Sequence, residues 1–215
     1  MKEDDVLLID KPAGITSFGV VARVRRRLSL QLGKKAKVGH TGTLDPFATG
    51  LMIIVTGKEC RNAGNYSKLD KVYEATIRLG QTSTTGDPEG EIINVSEAVP
   101  SKEAVEAALA QFVGEITQRP PMFSAIKING RRAYDLARKG EVVEMPERQV
   151  TVYSLELLDY AYPDVRIRVH VSSGTYIRTI AEDVGKVLET GAYCSELRRT
   201  KIAKWDVTAA EPIEV

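Results

Sequence analysis

The sequence predicts a single α+β domain, residues 1–215, with a mixed and largely antiparallel central sheet flanked by helices. Three observations predict it. Helical and strand-like apolar periods alternate without the strict strand–helix–strand order of a parallel fold. Two strand candidates, at 149–160 and 165–172, follow each other closely enough to pair as neighbours. No linker rich in Pro, Gly or Ser, no repeat and no low-complexity tract divides the chain.

Val6 to Ile9 reads as a short apolar strand, stopped by the turn Asp10-Lys11-Pro12-Ala13-Gly14. Thr16 or Ser17 caps a helix on which Val20, Val21, Val24 and Leu28 share one face, and Gly33 ends it. A polar loop from Gly39 to Gly50 leads into the strand Leu51 to Val55. Over Lys71 to Gly80, Tyr73, Ala75, Ile77 and Leu79 alternate with Glu74, Thr76 and Arg78, the period of a half-buried strand with Tyr73 inward. Residues 81–97 are a polar loop. Ser101 opens a second helix with Val105, Ala108, Leu109 and Phe112 inward and Gly114 beyond its end. Phe123 to Ile128 is a strand closed by Asn129-Gly130, and Arg131 to Lys139 a short basic helix. Val165, Ile167, Val169 and Val171 alternate with Arg166, Arg168 and His170, which puts His170 on the polar face. A last helix carries Ile177, Ile180, Ala181, Val184, Val187 and Leu188 inward, with Tyr176 and Arg178 in its first turn; Ser195 to Lys204 is a basic patch.

Net charge is only +1, but it is unevenly spread. Residues 1–80 hold 14 Lys and Arg against 8 Asp and Glu, and residues 81–215 hold 16 against 21. A basic half of this kind suits either a polyanionic partner or a solvated surface. Arg23, Arg25, Arg26, Arg27, Lys34, Lys35 and Lys37 concentrate it just before the polar loop. Cys60 and Cys194 stand far apart with no Cys-x-x-Cys, so neither a zinc site nor a disulfide framework is expected. No run of eighteen apolar residues exists, and the acidic start Met-Lys-Glu-Asp-Asp does not read as a signal peptide. A cytoplasmic protein is the expectation.

Several chemistries are struck off. The chain has no phosphate-loop motif of the nucleotide-hydrolase type, no Gly-x-Ser-x-Gly elbow, no His-Glu-x-x-His, and no zinc-deaminase signature. What stands out is Gly39 to Gly50, Gly-His-Thr-Gly-Thr-Leu-Asp-Pro-Phe-Ala-Thr-Gly. Asp45 precedes a proline, so its backbone is held extended. That stiffness suits a reacting carboxylate, and it equally suits a Gly-rich structural turn. Arg178 is a cation at a helix start, where it opposes the dipole, so it calls for a carboxylate or phosphate partner.

Beside this reading stands a resemblance. The chain resembles the TruB-type tRNA pseudouridine synthases over nearly its whole length. The residues that carry it are Asp10 to Ser17, Gly39 to Gly50, Tyr73 with Leu79-Gly80 and the Thr82–Asp87 loop, and Gly174-Thr175-Tyr176-Ile177-Arg178. Pro120-Pro121, Ser124-Ala125 with Lys127, Gly130 to Tyr134 and Leu197-Arg198-Arg199 fit as well. Their common order makes the match specific. It implies the pseudouridine synthase fold and isomerisation of the T-loop uridine conventionally numbered 55 in tRNA. It implies three catalytic residues: Asp45 as the aspartate, Tyr73 as the tyrosine that stacks on the uracil and handles the proton at C5, and Arg178 as the arginine paired with Asp45. His40, Tyr176 and Leu197 match positions that contact the flipped nucleotide or its neighbours; Lys11 with Pro12 belongs to an N-terminal motif that mostly supports the site, and Lys11 is counted with them among the RNA-binding residues. No cofactor and no metal are implied. The expected partner is the T-arm of tRNA, with no membrane, no obligate protein partner and a monomeric state. Many bacterial relatives continue into a C-terminal PUA domain, whereas this chain stops at Val215, so a short form without that domain is expected. The competing reading is a tRNA-binding or tRNA-folding protein of the same fold with little or no catalysis.

Overall fold

The computed structural model describes residues 3–124, 126–128, 130–137, 139–141 and 143–213. Ala125 and Asn129, which belong to the expected strand, motif and turn, lie outside the described residues. The first half of the chain forms β1 (Val6–Lys11), α1 (Ser17–Leu32), β2 (Val38–His40), β3 (Thr49–Thr56), α2 (Ala63–Ser67), β4 (Lys71–Leu79), β5 (Gln81–Ser83) and β6 (Ile92–Asn94). The second half forms α3 (Lys102–Ala110), β7 (Gly114–Gln118), β8 (Lys127–Ile128), β9 (Arg131–Arg132), α4 (Ala133–Ala137), β10 (Arg148–Ala161) and β11 (Asp164–Val171). It ends with α5 (Ile177–Val187), β12 (Ala192–Ile202), β13 (Trp205–Asp206) and β14 (Glu211–Pro212). The chain divides into two compact units, 1–73 with 197–215 and 74–196.

In the first unit β3 is the central strand. Its run Leu51–Val55 is fully buried, as expected for a strand covered on both faces. It pairs antiparallel with β1, from Val6 opposite Val55 to Lys11 opposite Gly50, and antiparallel with β2. It runs parallel to β12 at Thr49–Arg198 and Gly50–Arg199. Leu51, Ile53 and Val55 meet Ile202 in a core closed by Val6, Leu8, Tyr66, Leu69 and Trp205. Helix α1 begins where its Thr16 side chain accepts from Gly19 N and stops at the left-handed Gly33, as the cap signals predict. Val20, Val21, Val24 and Leu28 are its buried stripe.

In the second unit β7, β10 and β11 run antiparallel side by side, and β4 follows β11. Ser101 caps α3, and Val105, Ala108 and Leu109 are buried as predicted. Three expectations change. The 81–97 loop contains the antiparallel pair β5–β6. The expected strand 123–128 shortens to β8, which pairs with β9, so the basic helix starts only at Ala133. Gly114 is not a helix stop but opens β7. The β7 pattern hid itself because its inward Gln118 is polar and 1% exposed.

Candidate active site

The Asp45 loop runs from β2 to β3 and is held almost entirely through its own backbone. Thr41 donates from N and from Oγ1 to Ile53 O. Ser17, the first residue of α1, accepts from Leu44 N and donates to Leu44 O, both at 2.8 Å. Gly14 N donates to Pro46 O at 2.9 Å, and Ala48 N to Asp45 O at 3.2 Å, closing a turn around Asp45 and Pro46. Asp45 is partly buried.

Two buried cations tighten this cradle. Lys11 Nζ donates to Pro12 O and Ile15 O at 2.8 Å each and to Pro46 O at 3.1 Å. Arg199 donates from Nε to Leu51 O at 2.7 Å and from Nη2 to Gly42 O at 3.2 Å, with Nη1 3.5 Å from Thr43 O. Both side chains are almost wholly enclosed, at 0% and 1% exposure. A buried charge without hydrogen bonds is costly, so these carbonyls are strongly bound and the loop that carries them is rigid. The stiffness of Asp45 therefore comes from three sources: its proline, the Lys11 ammonium and the Arg199 guanidinium. Proline alone was legible in advance.

Arg199 is a correction to the expected basic patch at 195–204, since β12 turns it inward while Arg198 faces out and pairs bidentately with Asp10 at 2.7 and 3.1 Å. Tyr73 is inward as predicted, 8% exposed, and Leu197 is likewise 8% exposed. His40 ends β2 opposite Ile54 and is partly buried. Lys71, two residues before Tyr73 and on the same face of β4, is 6% exposed and donates to the carbonyls of Ser67 and Leu69. Burial, helped by the nearby Arg199 charge and opposed by Asp70, lowers its pKa to about 8. On α1, Arg26 and Arg27 are exposed, as are Lys35 and Lys37 beyond it, whereas Arg25 bonds Val38 O and Lys34 pairs with Glu3.

In the second unit α5 buries Ile177, Ile180, Ala181 and Val184, whereas Val187, expected inward, is exposed at the helix end; Arg178 is buried in its first turn. Its Nη1 donates to Thr85 O at 2.8 Å and to Asp87 Oδ2 at 3.0 Å, and its Nη2 to Phe123 O at 2.8 Å. Asp87 also accepts from Thr85 Oγ1 and from Glu89 N. The carboxylate that a helix-start cation calls for is thus present as Asp87, which sequence reasoning saw only as part of a loop. One turn further along α5, burial raises the pKa of Glu182 against the opposing Lys186 charge. Its carboxylate lies so close to Gly86 that a Cβ there would stand 2.5 Å from Oε1. Tyr176 is the N-cap residue of α5 and is partly buried. Among the described residues no group of three or more His, Cys, Asp or Glu side chains is placed to hold a metal ion, and no helix is long and apolar enough to cross a membrane.

A family model for the N-terminal domain of the TruB family pseudouridylate synthases matches residues 26–177. The chain belongs to the TruB family. Its relatives include tRNA pseudouridine synthase B of Burkholderia lata, 49% identical over 93% of this chain and 60% of that protein. The tRNA pseudouridine synthase B of Phocaeicola vulgatus is 48% identical over 94% of this chain and 86% of that protein. The chain thus spans about 60% of the Burkholderia relative's length. Among solved structures, that of a Cbf5-Nop10-Gar1 complex shares 29% identity with a TM-score of 0.74, covering 98% of this chain and 52% of that one. A pseudouridylate synthase structure with 16% identity and a TM-score of 0.51 agrees in fold. The expected pseudouridine synthase fold, mixed and mostly antiparallel, is the one found. Asp45, His40, Tyr73 and Tyr176 fall within the family match, and Lys11, Arg178 and Leu197 lie outside its limits.

Proposed function

We propose that this chain converts a uridine in the T-loop of tRNA, position 55, to pseudouridine, its two units working as one catalytic domain. The observation that carries the proposal is the Asp45 loop, a TruB-family element whose backbone is locked by buried Lys11 and Arg199. Preorganisation of that kind is what a reacting carboxylate requires. The reaction breaks the N1–C1′ bond, turns the uracil within the pocket and joins C5 to C1′. C5 loses a proton and N1 gains one, so no atom is lost and no redox carrier is consumed.

Asp45 is assigned as the carboxylate that acts on the sugar or base. Arg178 is assigned to pair with it and keep it ionised, as an adjacent cation lowers a carboxylate pKa. Tyr73 is assigned to stack on the uracil, which contributes roughly 1–3 kcal/mol per base. His40, Tyr176 and Leu197 are assigned to the flipped nucleotide and its neighbours. The exposed cations Arg26, Arg27, Lys35 and Lys37 are suited to phosphates, whose contacts offset the few kcal/mol needed to flip a base.

The test is pseudouridine formation in a T-arm stem-loop by the wild type and by Asp45→Asn. Product from the wild type with none from the variant is expected. Equal product from both removes Asp45 from the mechanism. Salt-sensitive RNA binding without product from the wild type supports the tRNA-binding alternative instead.

A further inference from the structure

Tyr176 is held by two side chains that face each other across neighbouring strands. Gln118 of β7 and Arg148 of β10 are register partners. Gln118 takes both polar groups of the Tyr176 main chain: its Nε2 donates to Tyr176 O at 3.0 Å, and its Oε1 accepts from Tyr176 N at 2.8 Å. Arg148 takes the ring, with its guanidinium carbon 4.8 Å from the ring centroid. The guanidinium also lies beside Gly174, where an added Cβ would stand 3.3 Å from Nη1. That glycine has φ +86, so the close approach and the left-handed backbone ask for the same residue.

The chemistry of Arg148 narrows what it does. Its Nε and Nη2 are enclosed by protein and make no hydrogen bond. An arginine that contacted the RNA backbone would present those donors to phosphate oxygens. Here those two nitrogens are shut in, and the cation lays its flat face against an aromatic ring. The Tyr176 side chain makes no capping bond on α5; the Arg148 guanidinium lies over its ring while Gln118 holds its main chain.

We propose that Gln118 and Arg148 are positioning residues that set the place and tilt at which Tyr176 meets the nucleotide. This inference rests on the reading that Tyr176 meets the flipped nucleotide. A misplacement of about 1 Å at such a group costs up to roughly 100-fold in rate. Substitution of Arg148 therefore lowers turnover without weakening RNA binding.

The experiment follows C5 tritium release from a labelled T-arm stem-loop under single-turnover conditions, for wild type, Arg148→Met, Arg148→Lys, Tyr176→Ala and Arg148→Met with Tyr176→Ala. Arg148→Met is expected to slow release roughly 10- to 100-fold with the RNA dissociation constant nearly unchanged. Arg148→Lys rescues little, since a point charge does not stack as a planar fork does. In the Tyr176→Ala background Arg148→Met has no further effect, because both act through one group. Additive losses, an unchanged rate, or weaker binding with a shallower salt dependence overturn the proposal. Ring resonances of Tyr176 in selectively labelled, RNA-free protein give a reading independent of activity. They shift in both Arg148 variants if the stack positions the ring, and unshifted resonances overturn the proposal even if the wild type makes no pseudouridine. That last result on the wild type alone counts against the proposed function.

Discussion

Arg178 and Asp87 form a buried ion pair, Nη1 to Oδ2 at 3.0 Å, with 3% and 5% of their side chains exposed. The pair ties the first turn of α5 to the 83–89 loop, because the same carboxylate accepts from Thr85 and Glu89. Removing Asp87 withdraws a buried anionic partner from Arg178 and the acceptor that Thr85 and Glu89 share. Asp87→Ala is expected to destabilise by about 3–5 kcal/mol, read by urea unfolding. A change under 1 kcal/mol means the arginine is satisfied without Asp87.

Lys11 makes the corresponding link in the first unit. Lys11→Met keeps the length of the side chain and deletes three charge-assisted bonds to carbonyls. A loss of about 3 kcal/mol or more follows, with the Pro46 turn most affected. Amide exchange at Gly14, which donates to Pro46 O, accelerates more than exchange in the β3 core. Uniform acceleration counts against a local brace.

Lys71 sets a pH dependence. Its folded pKa is about 8 against 10.5 for the free side chain, with desolvation as the main cause. The unfolded chain therefore binds more protons between those values, and stability rises with pH across that window. Below about pH 8 the cost of burying the charged ammonium is fully present. Wild type is expected to gain stability relative to Lys71→Met between pH 8 and 10.5 in chemical unfolding, and parallel curves contradict the shift.

Gly50 tests the meeting of β3 and β12. Its φ is +107, and a Cβ there would stand 2.3 Å from the carbonyl oxygen of Arg199. Backbone cannot step aside as a flexible side chain does. Gly50→Ala is expected to cost about 3 kcal/mol or more, or to yield insoluble protein, whereas Gly14→Ala meets no atom and bears only the cost of its own φ.

The sequence by itself determined the α+β class, most element positions, the caps of α1 and α3, the inward Tyr73 and the stiff Asp45. Those features follow from local rules: apolar period, capping side chains, the proline effect and ordered motifs. Even the family assignment needed only the order of short motifs along the chain. Tertiary structure alone decided the roles of Arg199, Lys71, Gln118 and Asp87. Each is a polar or charged residue at an inward position, which pattern reading assigns to solvent. Such a residue is stable inside only when specific partners, often remote in sequence, satisfy it: Arg199 through Leu51 and Gly42, Gln118 through Tyr176, Asp87 through Arg178. Those partners come from separate strands and loops, so no local signal announces them; in the first unit, Arg199 with Lys11 converts a stiff aspartate turn into a braced one.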